Sequence, residues 1–151
     1  KSLGSNFPLS ELSAAMLYAQ LLQVEEINGV FRKGWKQYNE ALQSLADAGK
    51  IELPQIPAGN HHSAHCFYIK TRSITEREAL TTFLHGKGIN AQFHYTPLHQ
   101  SEFGKTAGRF AGPDAETDRS RTLLRLPLYY SITEEEVSEV VTALKEFYNT
   151  P

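Results

Sequence analysis

From Ser10 to Val24 almost every position that is not serine or glutamine is apolar: Leu12, Ala14, Ala15, Met16, Leu17, Tyr18, Ala19, Leu21, Leu22 and Val24. A helix that is apolar all round is one that packs on several sides. A lone small domain has no surface with which to cover it. The apolar stripe then narrows to Ile27, Phe31, Trp35, Tyr38, Leu42 and Leu45, three or four residues apart, until Ala48-Gly49 supplies a stop. The phase survives Asn28-Gly29, so the pattern predicts one long helix, bent there if anywhere, of a kind that could join two domains.

Beyond it the spacing changes. Residues 51–60 hold Pro54, Pro57 and Gly59 and predict an extended surface connection. His65 to Thr71 reads as a strand. Thr75-Glu76-Arg77-Glu78 has the form of a capping box opening a helix with Leu80, Phe83 and Leu84, closed by Gly86. Ile89 to His94 reads as a second strand, followed by a loop with Pro97, Gly104, Gly108, Gly112 and Pro113, a short polar helix near Glu116 to Thr122, and a third extended segment, Leu124 to Leu128. Pro127 puts that segment at a sheet edge. In the last helix Thr133 caps, Glu136 completes a capping box, and Val137, Val140, Val141, Leu144, Phe147 and Tyr148 form one apolar face. The expected fold class is α/β: a long helix, then strands and helices in alternation, with the helices on one face of a small sheet.

Composition narrows the setting. The 151 residues are 40% hydrophobic and 21% charged, enough for a packed core. Fifteen basic and 17 acidic side chains, a formal charge of -2, are interspersed, and no basic stripe is offered to nucleic acid. Cys66 is the single cysteine, which excludes an internal disulfide and fits a reducing, cytoplasmic compartment. No apolar run approaches the roughly 20 residues that cross a bilayer, so no membrane span is expected. The opening Lys-Ser-Leu-Gly-Ser has neither an initiator Met nor a signal-peptide core and reads as the continuation of a larger protein.

The densest polar cluster is Phe93-His94-Tyr95-Thr96-Pro97-Leu98-His99, where a strand gives way to a loop. Two imidazoles and a phenol beside a proline can hydrogen-bond an anionic or sugar ligand, or can simply be a solvated turn. His61, His62, His65 and Cys66 do not have a metal-ligand spacing, and adjacent strand residues point to opposite faces, so no metal site is expected. Asn6, in a Gly-Ser-Asn turn before a helix that Ser10 can cap, is placed to meet phosphate oxygens or merely to shape the turn.

Four blocks carry a resemblance. Gly4 to Ala15 (Gly-Ser-Asn-Phe-Pro-Leu-Ser-Glu-Leu-Ser-Ala-Ala) followed by Ala19-Gln20-Leu21, then Ala64-His65-Cys66-Phe67-Tyr68-Ile69, then His94-Tyr95-Thr96-Pro97-Leu98-His99, then Leu126-Pro127-Leu128-Tyr129-Tyr130, stand in register over nearly the whole chain. Together they resemble the DegT/StrS family of sugar aminotransferases. The resemblance implies the C-terminal part of a fold-type-I pyridoxal-phosphate enzyme, with residues 1–50 a buried and linking helix segment from the large domain and 51–151 the small C-terminal domain.

The resemblance further implies that Asn6 reaches the cofactor phosphate of the neighbouring subunit in a homodimer with shared active sites. It makes His94, Tyr95 and His99 residues that line a nucleotide-sugar pocket. No lysine of this chain falls in the family's Schiff-base motif, so the chain itself carries no catalytic residue. Pro8 stands where the family pattern has Arg, and that arginine's contact is missing. The implied reaction of an intact enzyme is amino transfer from L-glutamate to the 4-keto group of dTDP-4-keto-6-deoxy-D-glucose. A sugar dehydratase of the same family and a stand-alone α/β ligand-binding module are the alternatives.

Overall fold

The structure, a computed structural model, describes residues 8–109, 112 and 114–149. In chain order the helices are α1 (Glu11–Leu21), α2 (Val24–Asp47), α3 (Ile74–Gly86), α4 (Glu102–Ala107), α5 (Ala115–Ser120) and α6 (Glu134–Asn149). The strands are β1 (Ile51–Glu52), β2 (Phe67–Thr71) and β3 (Leu123–Leu126). The sheet order is β1-β2-β3, antiparallel throughout, with Ile51 opposite Thr71, Phe67 opposite Leu126 and Ile69 opposite Leu124. This is the expected α/β class, with β3 at an edge.

Strand alternation decides which face is covered. Phe67, Ile69 and Thr71 of β2 and Leu124 and Leu126 of β3 are buried, while the residues between them are half-exposed. Onto the buried face α2, α3 and α6 bring Tyr38, Leu42, Leu45, Leu80, Leu84, Val137, Val140 and Leu144. Phe67 lies at the centre, with the Tyr38 ring stacked 5.1 Å away and the Trp35 ring edge-on at 5.3 Å. Gly34 lets α2 approach the segment after β3, since a Cβ there would stand 2.9 Å from Leu128 Cδ1. The Tyr38 hydroxyl then donates to the Pro127 carbonyl at 2.9 Å, and burial pushes the phenol's pKa well above its ordinary value.

The helix ends follow the chemistry of their caps. At the close of α2 the Lys50 N–H bonds to the Leu45 carbonyl and the Gly49 N–H to that of Ala46, with Gly49 at φ 66°. Nothing crowds Gly49, so alanine there meets only the backbone penalty of the left-handed region. Gly49→Ala should cost about 1 kcal/mol, seen as a lower urea midpoint at unchanged slope. At α6 the Glu136 N–H donates to Thr133 Oγ1 and the Thr133 N–H to the Glu136 carboxylate, the expected capping box.

Several expectations are corrected. The first helix does not run unbroken: it stops at Leu21, and Gln23, at φ -114° and ψ 13°, opens α2, while Asn28-Gly29 passes without a break. Neither glycine nor proline marks the interruption. The 51–60 segment contains β1, because Ile51 fills the core beside Leu45 and bonds across to Thr71. Ile89 to His94 is not a strand, and only a single bridge from Gln92 to Arg125 forms. The box opening α3 is Ser73 with Glu76: Ser73 Oγ accepts the Glu76 N–H, while the Glu76 carboxylate takes the Arg72 N–H and guanidinium. As expected for a helix that a small domain alone does not cover, no residue of α1 is buried among the described residues, Leu12 and Met16 being 75% and 61% exposed.

Candidate functional site

The 93–100 loop leaves the core at Ala91 and runs along the outer side of β3, held there by paired backbone bonds between Gln92 and Arg125. Phe93 turns towards α3, where the Arg77 guanidinium lies 4.1 Å above its ring. His94 turns the other way. Arg125 Nη1 donates to its Nδ1 at 3.4 Å, and because arginine has only protons to give, the imidazole proton must sit on Nε2. That N–H donates to Gln92 Oε1 at 3.1 Å, and the Gln92 amide donates to Asn90 at 3.2 Å. The relay fixes the plane of the His94 ring.

Tyr95 uses that plane. Its ring stacks on His94 at 4.4 Å between centroids and 4° between planes, across a cis peptide bond, and is 74% exposed. An open aromatic face held by a fixed imidazole is a platform for a flat polar ligand. Beside it a cavity of about 270 Å³ is lined by Asn90, Gln92, His94, Arg125, Pro127 and Tyr129, among others, and by no lysine.

His99 is held separately. Pro97 leads into a single 3-10 turn, Leu98–Gln100, on which α4 packs so closely that any Cβ at Gly104 would collide with the Leu98 carbonyl. His99 Nε2 bonds to Asp114 Oδ2 at 2.9 Å, and Gln100 donates to the same oxygen at 3.1 Å. Asp114 is kept below its ordinary carboxylate value by the Thr117 hydroxyl first, then by His99 and Gln100. A carboxylate with a depressed pKa gives its stabilisation above the unfolded-state value and loses it as pH falls through the folded one. The His99–Asp114 contact should therefore persist at neutral pH and dissolve only below the usual carboxylate range. The Asp114 side-chain carboxyl resonance followed by NMR should titrate below the ordinary carboxylate value.

The loop thus joins His94 and Tyr95 as one stack and sets His99 on a different support. Asn6 lies outside the described residues. Asp114, Arg125 and Gln92, which hold the cluster, had no signal in the sequence, since each meets it through the fold. His65 bonds to Ser63 at 3.3 Å and His62 meets the edge of Trp35 at 4.8 Å. Among the described residues no three or more His, Cys, Asp or Glu gather as metal ligands, and no helix is long and apolar enough to cross a membrane.

Comparison with known proteins bears on what this arrangement serves. The sequence profile of the DegT/DnrJ/EryC1/StrS aminotransferase family matches residues 1–145. The UDP-N-acetyl-3-dehydro-α-D-glucosamine 3-aminotransferase of Acidithiobacillus ferrooxidans is 31% identical over 144 residues, 95% of this chain and 37% of that protein. Among solved structures, S. venezuelae DesV superposes with a TM-score of 0.83 at 25% identity, over 100% of this chain and 40% of its own. Bacillus subtilis NtdA, solved with bound cofactor PMP, gives 0.69 at 24% identity, over 82% and 28%. The chain spans little more than a third of the length of the curated relative it matches.

Proposed function

Because this chain belongs to the DegT/DnrJ/EryC1/StrS aminotransferase family, we propose that it forms the C-terminal part of a pyridoxal-phosphate-dependent nucleotide-sugar aminotransferase. In this reading residues 51–151 are the small domain, and residues 1–50 join it to a large domain that covers α1. The parent works as a cytoplasmic homodimer with shared active sites. The observation that carries the reading is the stacked, exposed Tyr95 on a ring-locked His94, with His99 pinned to Asp114 nearby.

The chemistry divides accordingly. Pyridoxal phosphate, when bound, supplies the electron sink for amino transfer. The described side chains around the loop suit binding and orientation: an aromatic face, a phenol, an imidazole backed by a carboxylate, and no lysine in the cavity beside them. Tyr95 stacks on or donates to the nucleotide sugar, and His99, its ring angle set by Asp114, hydrogen-bonds with its polar groups. His94 acts by holding Tyr95. Asn6 is assigned to the cofactor phosphate by its position in the Gly-Ser-Asn-Phe block.

For the substrate we assign dTDP-4-keto-6-deoxy-D-glucose, aminated from L-glutamate to dTDP-4-amino-4,6-dideoxy-D-galactose, on the strength of the sequence blocks. The test offers the full-length protein glutamate with that sugar nucleotide and, separately, with UDP-N-acetyl-3-dehydro-α-D-glucosamine, and follows the amino sugars by mass spectrometry. Amination of the dTDP sugar alone is expected. Amination of the UDP sugar alone keeps the reaction and overturns the substrate. No amination of either overturns the reading.

A further inference from the structure

On the far side of the loop from the His94 cavity lies a second cavity of about 620 Å³, lined by Ile74, Arg77, Glu78, Phe93, Thr96, Pro97, Gln100, Lys105 and Arg121. Three cations and one carboxylate face it, an excess of two positive charges in a chain whose formal charge is -2. The single carboxylate is already engaged: Glu78 accepts from Arg77 Nη2 at 3.0 Å. Arg77 is buried, its guanidinium carbon 4.1 Å from the centre of the Phe93 ring. Among the described residues neither Lys105 nor Arg121 forms an ion pair, and Arg121 is half-buried.

Half-burying the Arg121 guanidinium with no ion-pair partner among the described residues costs free energy that a bound anion returns. A rigid arginine fork, a second guanidinium, a mobile ammonium and the Gln100 and Thr96 side chains together supply the donors that phosphate oxygens accept from. The volume falls within the range of small-molecule sites. We propose that this cavity is an anion site for a phosphate or diphosphate group, in contact with the reverse face of the loop that carries Tyr95 and His99. An occupant contacting Gln100 would be one residue from the His99–Asp114 pair and would stiffen the loop from behind. The proposal does not depend on the amino-transfer reading.

The probes are inorganic pyrophosphate and dTDP, titrated into this chain by calorimetry at low and moderate salt. Binding of pyrophosphate is expected, weakening with salt. Lys105→Gln is expected to weaken it about threefold and Lys105→Gln with Arg121→Gln about tenfold, while Leu12→Ser, on the exposed side of α1, leaves it unchanged. Lys105 is exposed on α4, so its substitution tests the site even where the double variant unfolds. If dTDP binds more tightly than pyrophosphate and shares the Lys105 dependence, the anion arrives on a nucleotide; equal affinities point to a free phosphate. Absence of pyrophosphate binding, or binding indifferent to Lys105 and Arg121, overturns the proposal.

Discussion

Phe67→Ala is expected to lower stability by about 4 kcal/mol, a large fraction of the 5–15 kcal/mol typical of a folded domain. Phe67 is fully buried where β2, α2 and β3 meet. It stacks on Tyr38, takes the edge of Trp35 and pairs across the sheet with Leu126. Removing the ring takes away its transfer free energy and leaves a void that β2, pinned by ladders on both sides, cannot close. A fall in melting temperature of roughly 10 °C is the expected reading. Leu12→Ser on α1 is the control: Leu12 is 75% exposed and touches no core residue, so a change within about 0.5 kcal/mol is expected. A comparable loss from both substitutions would mean that the core is not where the structure puts it.

The second large effect belongs to the loop. His99→Ala in the full-length protein is expected to raise KM for the sugar nucleotide about tenfold, and Asp114→Asn to do so by less. The reason is geometric. Asp114 is the anchor against which both His99 and Gln100 are set, so asparagine keeps the shape and loses the charge that holds the imidazole. A merely structural role predicts a lower melting temperature in step with the kinetic loss; a positioning role predicts the KM change with unfolding unaltered.

Much of this architecture was legible because its causes are local. The three-four spacing of Tyr38, Leu42 and Leu45, the Thr133–Glu136 box and the Gly49 stop each follow from backbone chemistry within one or two helical turns. What was misread had causes distant in sequence. Ile51–Glu52 is a strand only because Thr71 and Lys70 arrive beside it. Ile89 to His94 has the residue content of a strand, but its backbone makes a single bridge. Ser73 and Thr75 both stand three residues before a glutamate, and only the chain direction leaving β2 chooses between them.

The site divides in the same way. The cluster 94–99 is visible as an unusual run of ring-bearing residues at a loop entrance, but its supports are not. Asp114 meets His99 from 15 residues away, and Arg125 meets His94 from 31. The cationic cavity behind the loop was equally silent, since Arg77, Lys105 and Arg121 are scattered among ordinary charges and converge only in three dimensions.

In the proposed enzyme Tyr95 serves the sugar nucleotide and not the amino donor. The proposed amino transfer would separate into a glutamate half-reaction and a sugar half-reaction, each measurable alone in the full-length protein by the absorbance of its cofactor. With Tyr95→Ala, the glutamate half-reaction should run at the unaltered rate, while the sugar half-reaction at low substrate slows about tenfold or more. Equal loss in both halves, or loss in neither, would contradict the account.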